Sequence, residues 1–111
     1  MNIGIDIEEV KRFNKYVKNK SWLKRVFTEE EISYSLSKKN AIEHLAVRFA
    51  AKEAIWKALS TRNKQIIITD ISVMNTKNGK PQVYIKNKKC NKIDVSLSHT
   101  NKYVAAVAIF F

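Results

Sequence analysis

The sequence predicts an α+β domain in which helices pack on a mainly antiparallel sheet. Three observations carry that prediction. The first half holds one short strand pattern and then helical signatures with recognisable caps. The second half is rich in Val, Ile and Tyr runs separated by turn residues. Asn78-Gly79 is the strongest hairpin signal in the chain. The order strand, helices, then several strands is that of helices laid on an antiparallel sheet.

Residues 1–7 alternate weakly and carry Ile3, Ile5 and Ile7, which suits a short strand, and Gly4 lets another backbone pass closely. Asp6 interrupts the apolar run. Read from the residues it is a helix N-cap, with Glu9 completing a capping box. A helix is expected over residues 8–17, with Val10, Phe13 and Val17 inward and Lys11, Arg12 and Lys15 outward. Residues 21–27 read as a short helical turn with Trp22 and Val26 beneath Lys24 and Arg25. Thr28 and Glu31 form a capping box opening a helix that includes Ile32 and Leu36 and fades at Ser37-Lys38-Lys39.

The central helix begins at Asn40, a plausible N-cap with Glu43 three residues on, and runs to Leu59. Leu45, Phe49, Trp56 and Leu59 fall on one face. Ala46, Ala50, Ala54 and Ala58 form a smooth second stripe, and Val47, Ala51 and Ile55 cover much of the rest. Glu53 and Lys57 sit one turn apart beside the alanines, with Cβ atoms about 5–6 Å apart. The plain reading is a surface pair worth a few tenths of a kcal/mol. The other reading is that small neighbours leave room for a ligand to approach the carboxylate, as a phosphate-and-metal site needs.

After a polar loop at residues 60–64, a short strand is expected at 66–68, a clearer one at 70–74, and a return strand at 82–86. A lysine-rich loop at 86–92 leads to a strand at 93–97. Residues 103–111 are nearly all apolar and are expected to be a strand buried on both faces. His99 lies just past a strand between Ser98 and Thr100, where it serves either as a hydrogen-bonder or as a phosphate contact. His44 carries no assignment.

A chain of 111 residues reads as one domain, residues 1–111, small enough to gain from oligomerisation. With 45% hydrophobic residues it should fold rather than remain disordered. No run of about 18 apolar residues spans a membrane, and no secretory signal is evident. The single cysteine, Cys90, forms no intrachain disulfide, and the expected compartment is the reducing cytoplasm. The net charge of +11 favours an anionic partner: nucleic acid, anionic membrane, polyphosphate or acidic protein.

Arg48-Phe49-Ala50-Ala51-Lys52-Glu53-Ala54 followed by Lys57-Ala58-Leu59 closely resembles the signature of the small 4′-phosphopantetheinyl transferases of the holo-acyl-carrier-protein synthase type. Ile3-Gly4-Ile5-Asp6-Ile7, Asn78-Gly79-Lys80-Pro81 and Val95-Ser96-Leu97-Ser98-His99-Thr100 agree in the expected order, so the resemblance spans residues 3–108. It implies the 4′-phosphopantetheinyl transferase fold and transfer of the phosphopantetheine arm of coenzyme A to a serine of apo acyl carrier protein, with adenosine 3′,5′-bisphosphate released. It implies Mg²⁺ held by Asp6 and Glu53, and Lys57 on the phosphates. Glu53 would take the serine proton directly or through a water on the metal.

By the same resemblance Lys39, His99 and Thr100 would contact the coenzyme, Arg12 and Arg25 would dock the acidic carrier protein, and the chain would be a homotrimer with clefts between subunits. The sequence departs from the family where Ser60 and Arg62 replace the glycines of a Gly-Thr-Gly-type turn. The rival is a small basic nucleic-acid-binding protein. It accounts for the charge but gives Asp6 and Glu53 no purpose, and no glycine loop or zinc-finger pattern supports it. The resemblance implies neither nucleic acid nor membrane as a partner.

Overall fold

In the computed structural model, residues 1–60 and 65–111 are described, and residues 61–64 lie outside them. Helix α3 (Ala41–Ser60) is the element on which the others are laid. One antiparallel sheet has the order β1-β6-β5, formed by β1 (Asn2–Glu9), β5 (Ile93–His99) and β6 (Tyr103–Phe110). A second has the order β2-β3-β4, formed by β2 (Ile71–Asn75), β3 (Pro81–Ile85) and the two-residue β4 (Lys88–Lys89). Helices α1 (Lys20–Val26) and α2 (Glu29–Leu36) precede α3.

The α+β class is as expected, but several boundaries moved. The first strand continues through Glu9, and the expected helix over 8–17 is a 3₁₀ segment at Val10–Lys15. Pairing decides this: Asp6, Ile7 and Glu8 are laddered to Ala106, Ala105 and Val104, so Asp6 is no helix cap. The strand expected at 66–68 is absent, and Ile68–Asp70 is a 3₁₀ turn closed by the Ile67 amide donating to Asp70 Oδ2 at 3.1 Å.

Asn78-Gly79 does mark a hairpin, but Gly79 alone takes a left-handed conformation (φ 81°) after a turn closed by its amide on the Thr76 carbonyl at 2.9 Å. The two-residue turn with both φ positive is Lys86-Asn87 (49° and 68°), between β3 and β4, inside the expected lysine loop. That is the hand hairpins prefer.

The alanine stripe of α3 is not an open approach to Glu53. Ala46, Ala50, Ala54 and Ala58 are fully buried, and the sheet lies directly on them. At the closest point a Cβ added to Gly4 would stand 1.9 Å from the Ala54 carbonyl oxygen and 2.9 Å from the Ala58 nitrogen. Gly4→Ala must therefore push α3 off β1, and we expect a loss of about 1–3 kcal/mol. A urea midpoint unchanged from the parent would show that the helix can slide at no cost.

Phe13, Tyr16, Trp22, Phe27 and Phe49 tie the 3₁₀ segment and α1 to α3, with Tyr16 stacked on Trp22 at 3.7 Å. Trp56, expected on the inner face, is 41% exposed and donates its indole N–H to the Ile66 carbonyl at 3.0 Å.

Strand β6 is buried on one face rather than two. Val104, Ala106 and Ala108 face the core, whereas Ala105, Val107 and Ile109 are half-buried on the other side. Their register partners on β1 are Ile7, Ile5 and Ile3, each more than 65% exposed. The β1–β6 part of this sheet's outer face is thus an apolar strip, bordered on β5 by the exposed Asp94, Ser96 and Ser98.

Candidate active site

Alternation along β1 puts Gly4, Asp6 and Glu8 on the side facing α3. Where Gly4 lets the helix come close, Asp6 reaches the α3 residues one turn apart. Lys57 Nζ donates to Asp6 Oδ1 at 3.3 Å and to the Ile5 carbonyl at 3.0 Å. Asp6 Oδ2 is buried and accepts no hydrogen bond. Burial, and then the nearby Asp6 carboxylate, push the Glu53 carboxyl up, with Lys57 and Arg12 pulling the other way.

Glu8, not singled out from the sequence, belongs to the same cluster. Burial first, and then the charge of the neighbouring Asp6 carboxylate, push it to about 7, against the pull of Arg12. Arg12 Nη1 donates to Glu8 Oε1. Strand alternation was the signal for Glu8, hidden because the strand was expected to stop at Ile7. Three carboxyls thus crowd a half-buried place, and two of them resist ionising there. Such crowding is the electrostatic mark of a functional site.

A second arrangement lies along the other side of α3. A groove of about 520 Å³ runs between the start of α3, the turn before β3 and the end of β5, lined among others by Glu43, Arg48, Gly79, Pro81 and His99. His99 Nδ1 donates to Glu43 Oε1 at 2.9 Å, which leaves Nε2 for a ligand. Asn40 Nδ2 donates to Glu43 Oε2 at 2.7 Å, so this pair meets through side chains.

Arg48, quoted above only as part of a motif, is 2% exposed, and its Nε and Nη2 have no partner. Burial lowers its pKa from the ordinary value, yet a guanidinium keeps its charge. The sequence signal was a lone arginine in an apolar helix.

Lys39 lines a different hollow of about 660 Å³, together with Asn40, Glu43, Lys102 and Tyr103. Asn40 and Glu43 are shared by the two hollows. Asp6, Glu53 and Lys57 line neither. The Thr100 hydroxyl accepts the amides of Lys102 and Tyr103 at 3.2 and 3.0 Å and so shapes the β5–β6 turn. Arg12 and Arg25 are exposed, Arg25 in the last turn of α1. Of the departing turn Ser60–Arg62, Thr61 and Arg62 lie outside the described residues.

Lys52, beside Glu53 in the signature, is sealed in the core. Its Nζ donates to Glu31 Oε1 at 2.6 Å, and both side chains are fully buried. Glu31 also accepts the Thr28 amide at 2.9 Å and, through Oε2, the Val73 amide at 2.9 Å. The predicted capping box is present, but the same carboxylate also joins α2, α3 and β2. The signature lysine is therefore structural.

The molecule thus carries a carboxylate–lysine cluster on one side of α3 and, apart from it, a groove that holds a buried arginine. The chain belongs to the 4′-phosphopantetheinyl transferase superfamily, whose profile matches residues 2–108. It is 45% identical over 113 residues to the holo-[acyl-carrier-protein] synthase of Geobacillus sp. strain WCH70, covering 98% of this chain and 94% of that one.

Among solved structures it resembles a Bacillus anthracis holo-(acyl-carrier-protein) synthase in complex with CoA. The TM-score is 0.82 at 32% identity, over 98% of this chain and 94% of the other. The Helicobacter pylori holo-[acyl-carrier-protein] synthase in complex with coenzyme A gives a TM-score of 0.78 at 27% identity, over 98% and 99%. The chain is a phosphopantetheinyl transferase of the holo-acyl-carrier-protein synthase type. No described helix is long and apolar enough to cross a membrane.

Proposed function

We propose that the chain transfers 4′-phosphopantetheine from coenzyme A to a serine of apo acyl carrier protein and releases adenosine 3′,5′-bisphosphate. The observation that carries this reading is the buried, unpartnered Asp6 Oδ2 beside Glu53 and Lys57. A divalent cation fits there, because an orphaned carboxylate oxygen and a second carboxyl with a raised pKa both gain from a positive neighbour. Among the described residues no set of three or more ligating side chains forms a cage. Two carboxylates, Asp6 and Glu53, are the share a protein gives to Mg²⁺ when substrate phosphates complete the shell. When bound, Mg²⁺ supplies neutralisation of the charge on the pyrophosphate.

The chain's own residues then do the rest. The serine oxygen bonds to the phosphorus that carries pantetheine, and the bond from that phosphorus to the bridging oxygen breaks. Glu53, one helical turn from Lys57 and facing β1, takes the serine proton as general base, directly or through a water. Lys57, held at the middle of β1 by Asp6 and the Ile5 carbonyl, brings a point charge to the phosphates. Arg48 and His99 hold the anionic adenosine end in the groove, and Lys39 and Thr100 flank it. Incubation with coenzyme A, Mg²⁺ and apo carrier protein tests the activity. A mass gain of one phosphopantetheine group is expected, and none means the reading fails.

The apolar strip formed by Ile3, Ile5 and Ile7 with Val107 and Ile109 suits a second copy of the chain, and we place a homotrimer on it. Because Asp6 and Glu53 lie outside the groove that holds Arg48 and His99, a neighbouring copy would bring its groove to these carboxylates. Light scattering should give about three times the 12.9 kDa chain mass. A monomer at micromolar concentration excludes the arrangement. Inactive Asp6→Ala and His99→Ala chains, mixed, should recover activity. Exposed Arg12 and Arg25 face an acidic carrier protein, so Arg12→Glu or Arg25→Glu should raise KM for carrier protein and leave KM for coenzyme A. Equal rises in both would exclude docking as their role.

A further inference from the structure

Tyr34 has no part in the scheme above, and neither sequence motif nor capping assigns it one. It lies on α2, half-buried, with its ring centroid 4.3 Å from the Arg48 guanidinium carbon. The ring carries a second cation, Lys38 Nζ, at 4.7 Å from its centroid. The His44 ring meets it edge-on, with centroids 5.7 Å apart and planes at 87°. Arg48 and His44 both line the groove, and Tyr34 stands behind them.

The orientation of Arg48 is what needs explaining. A guanidinium with two unpaired nitrogens in an almost fully buried position is costly, and a flexible side chain would swing to find partners. Nε and Nη2, the two unpartnered nitrogens, share one edge of the guanidinium plane. Together they offer the paired N–H donors that match two oxygens of a phosphate. That edge is useful only if the plane is held, and an aromatic face against a guanidinium holds it.

We propose that Tyr34 is a positioning residue that fixes the plane of Arg48, so that its Nε/Nη2 edge meets a phosphate of coenzyme A in the groove. This rests on the reading of the groove as the coenzyme's anion site. The ring does the holding, and it acts on coenzyme binding rather than on the chemical step.

The test compares Tyr34→Met, Tyr34→Leu, Tyr34→Phe and Arg48→Met, assayed below the melting temperature of each. Binding of coenzyme A is measured by titration calorimetry, and KM for coenzyme A and for carrier protein by steady-state transfer. Tyr34→Met and Tyr34→Leu, which fill the space without a π-face, should weaken coenzyme A binding roughly 5- to 20-fold, the worth of a desolvated cation–π contact. KM for carrier protein should stay within about twofold, and Tyr34→Phe should bind coenzyme A within about threefold of the parent, tolerances well inside that range. A purely structural tyrosine would lower the melting temperature without this split between the two KM values.

Coenzyme binding unchanged in both Tyr34→Met and Tyr34→Leu, or lost as fully in Tyr34→Phe, overturns the inference. If Arg48→Met loses coenzyme binding while Tyr34→Met keeps it, the inference alone fails. If Arg48→Met binds coenzyme A like the parent, the groove reading fails as well.

Discussion

Asp6→Asn and Glu53→Gln, made singly, are expected to lower phosphopantetheine transfer by at least about 100-fold, the scale on which electrostatic contacts to a developing charge act. Both changes keep side-chain shape, and Asn still offers Lys57 an acceptor where Oδ1 now sits. The fold should not suffer. Asp6 raises the Glu53 and Glu8 carboxyls, so removing its charge relieves repulsion in the metal-free protein, and the melting temperature should stay level or rise. Activity lost at undiminished stability is what a functional carboxylate cluster gives. Turnover near the parental rate in either variant would mean that the cation site is elsewhere. A melting temperature that collapses with activity would mean that these carboxylates are structural.

Lys52→Met is expected to cost about 3–5 kcal/mol in urea denaturation, the usual penalty for stranding one partner of a buried ion pair. Glu31 would keep the amides of Thr28 and Val73, but its charge would stay in a fully buried place with no cation against it. Glu31→Gln made together with Lys52→Met removes both charges and should recover part of the loss, a coupling measurable by a double-mutant cycle. Transfer by the single variant, assayed below its melting temperature, should remain, because a sealed Nζ cannot reach a substrate. A Lys52→Met protein within about 1 kcal/mol of the parent would contradict the buried-pair account, whose range begins well above that.

The two signature residues Lys52 and Glu53 show how far the sequence could be read. Both belong to a short motif that resembles the phosphopantetheinyl transferase signature, and that much was legible from the resemblance. Their division of labour was not. One turns inward to an acid 21 positions earlier in the chain and the other toward β1, and periodicity on a helix apolar nearly all round gives no direction. Thr28 and Glu31 were read correctly as a cap because a capping box closes within four residues. The third bond of Glu31, to Lys52, closes across 21 residues and leaves no local trace.

By itself, then, the sequence determined the α+β class, the family through its resemblance, and the hairpin near Gly79, and it named Asp6, Glu53 and Lys57 as candidates. All of these rest on local pattern or short motifs. Tertiary structure alone decided the rest. Pairing with β6 carried β1 past Ile7 and brought Glu8 into the carboxylate cluster. Close packing at Gly4 turned the alanine stripe into a contact surface. A tyrosine on α2 came to lie behind Arg48 of α3. Each of these depends on which distant backbone arrives alongside, and that is set by the burial of the whole core rather than by the preference of any one segment.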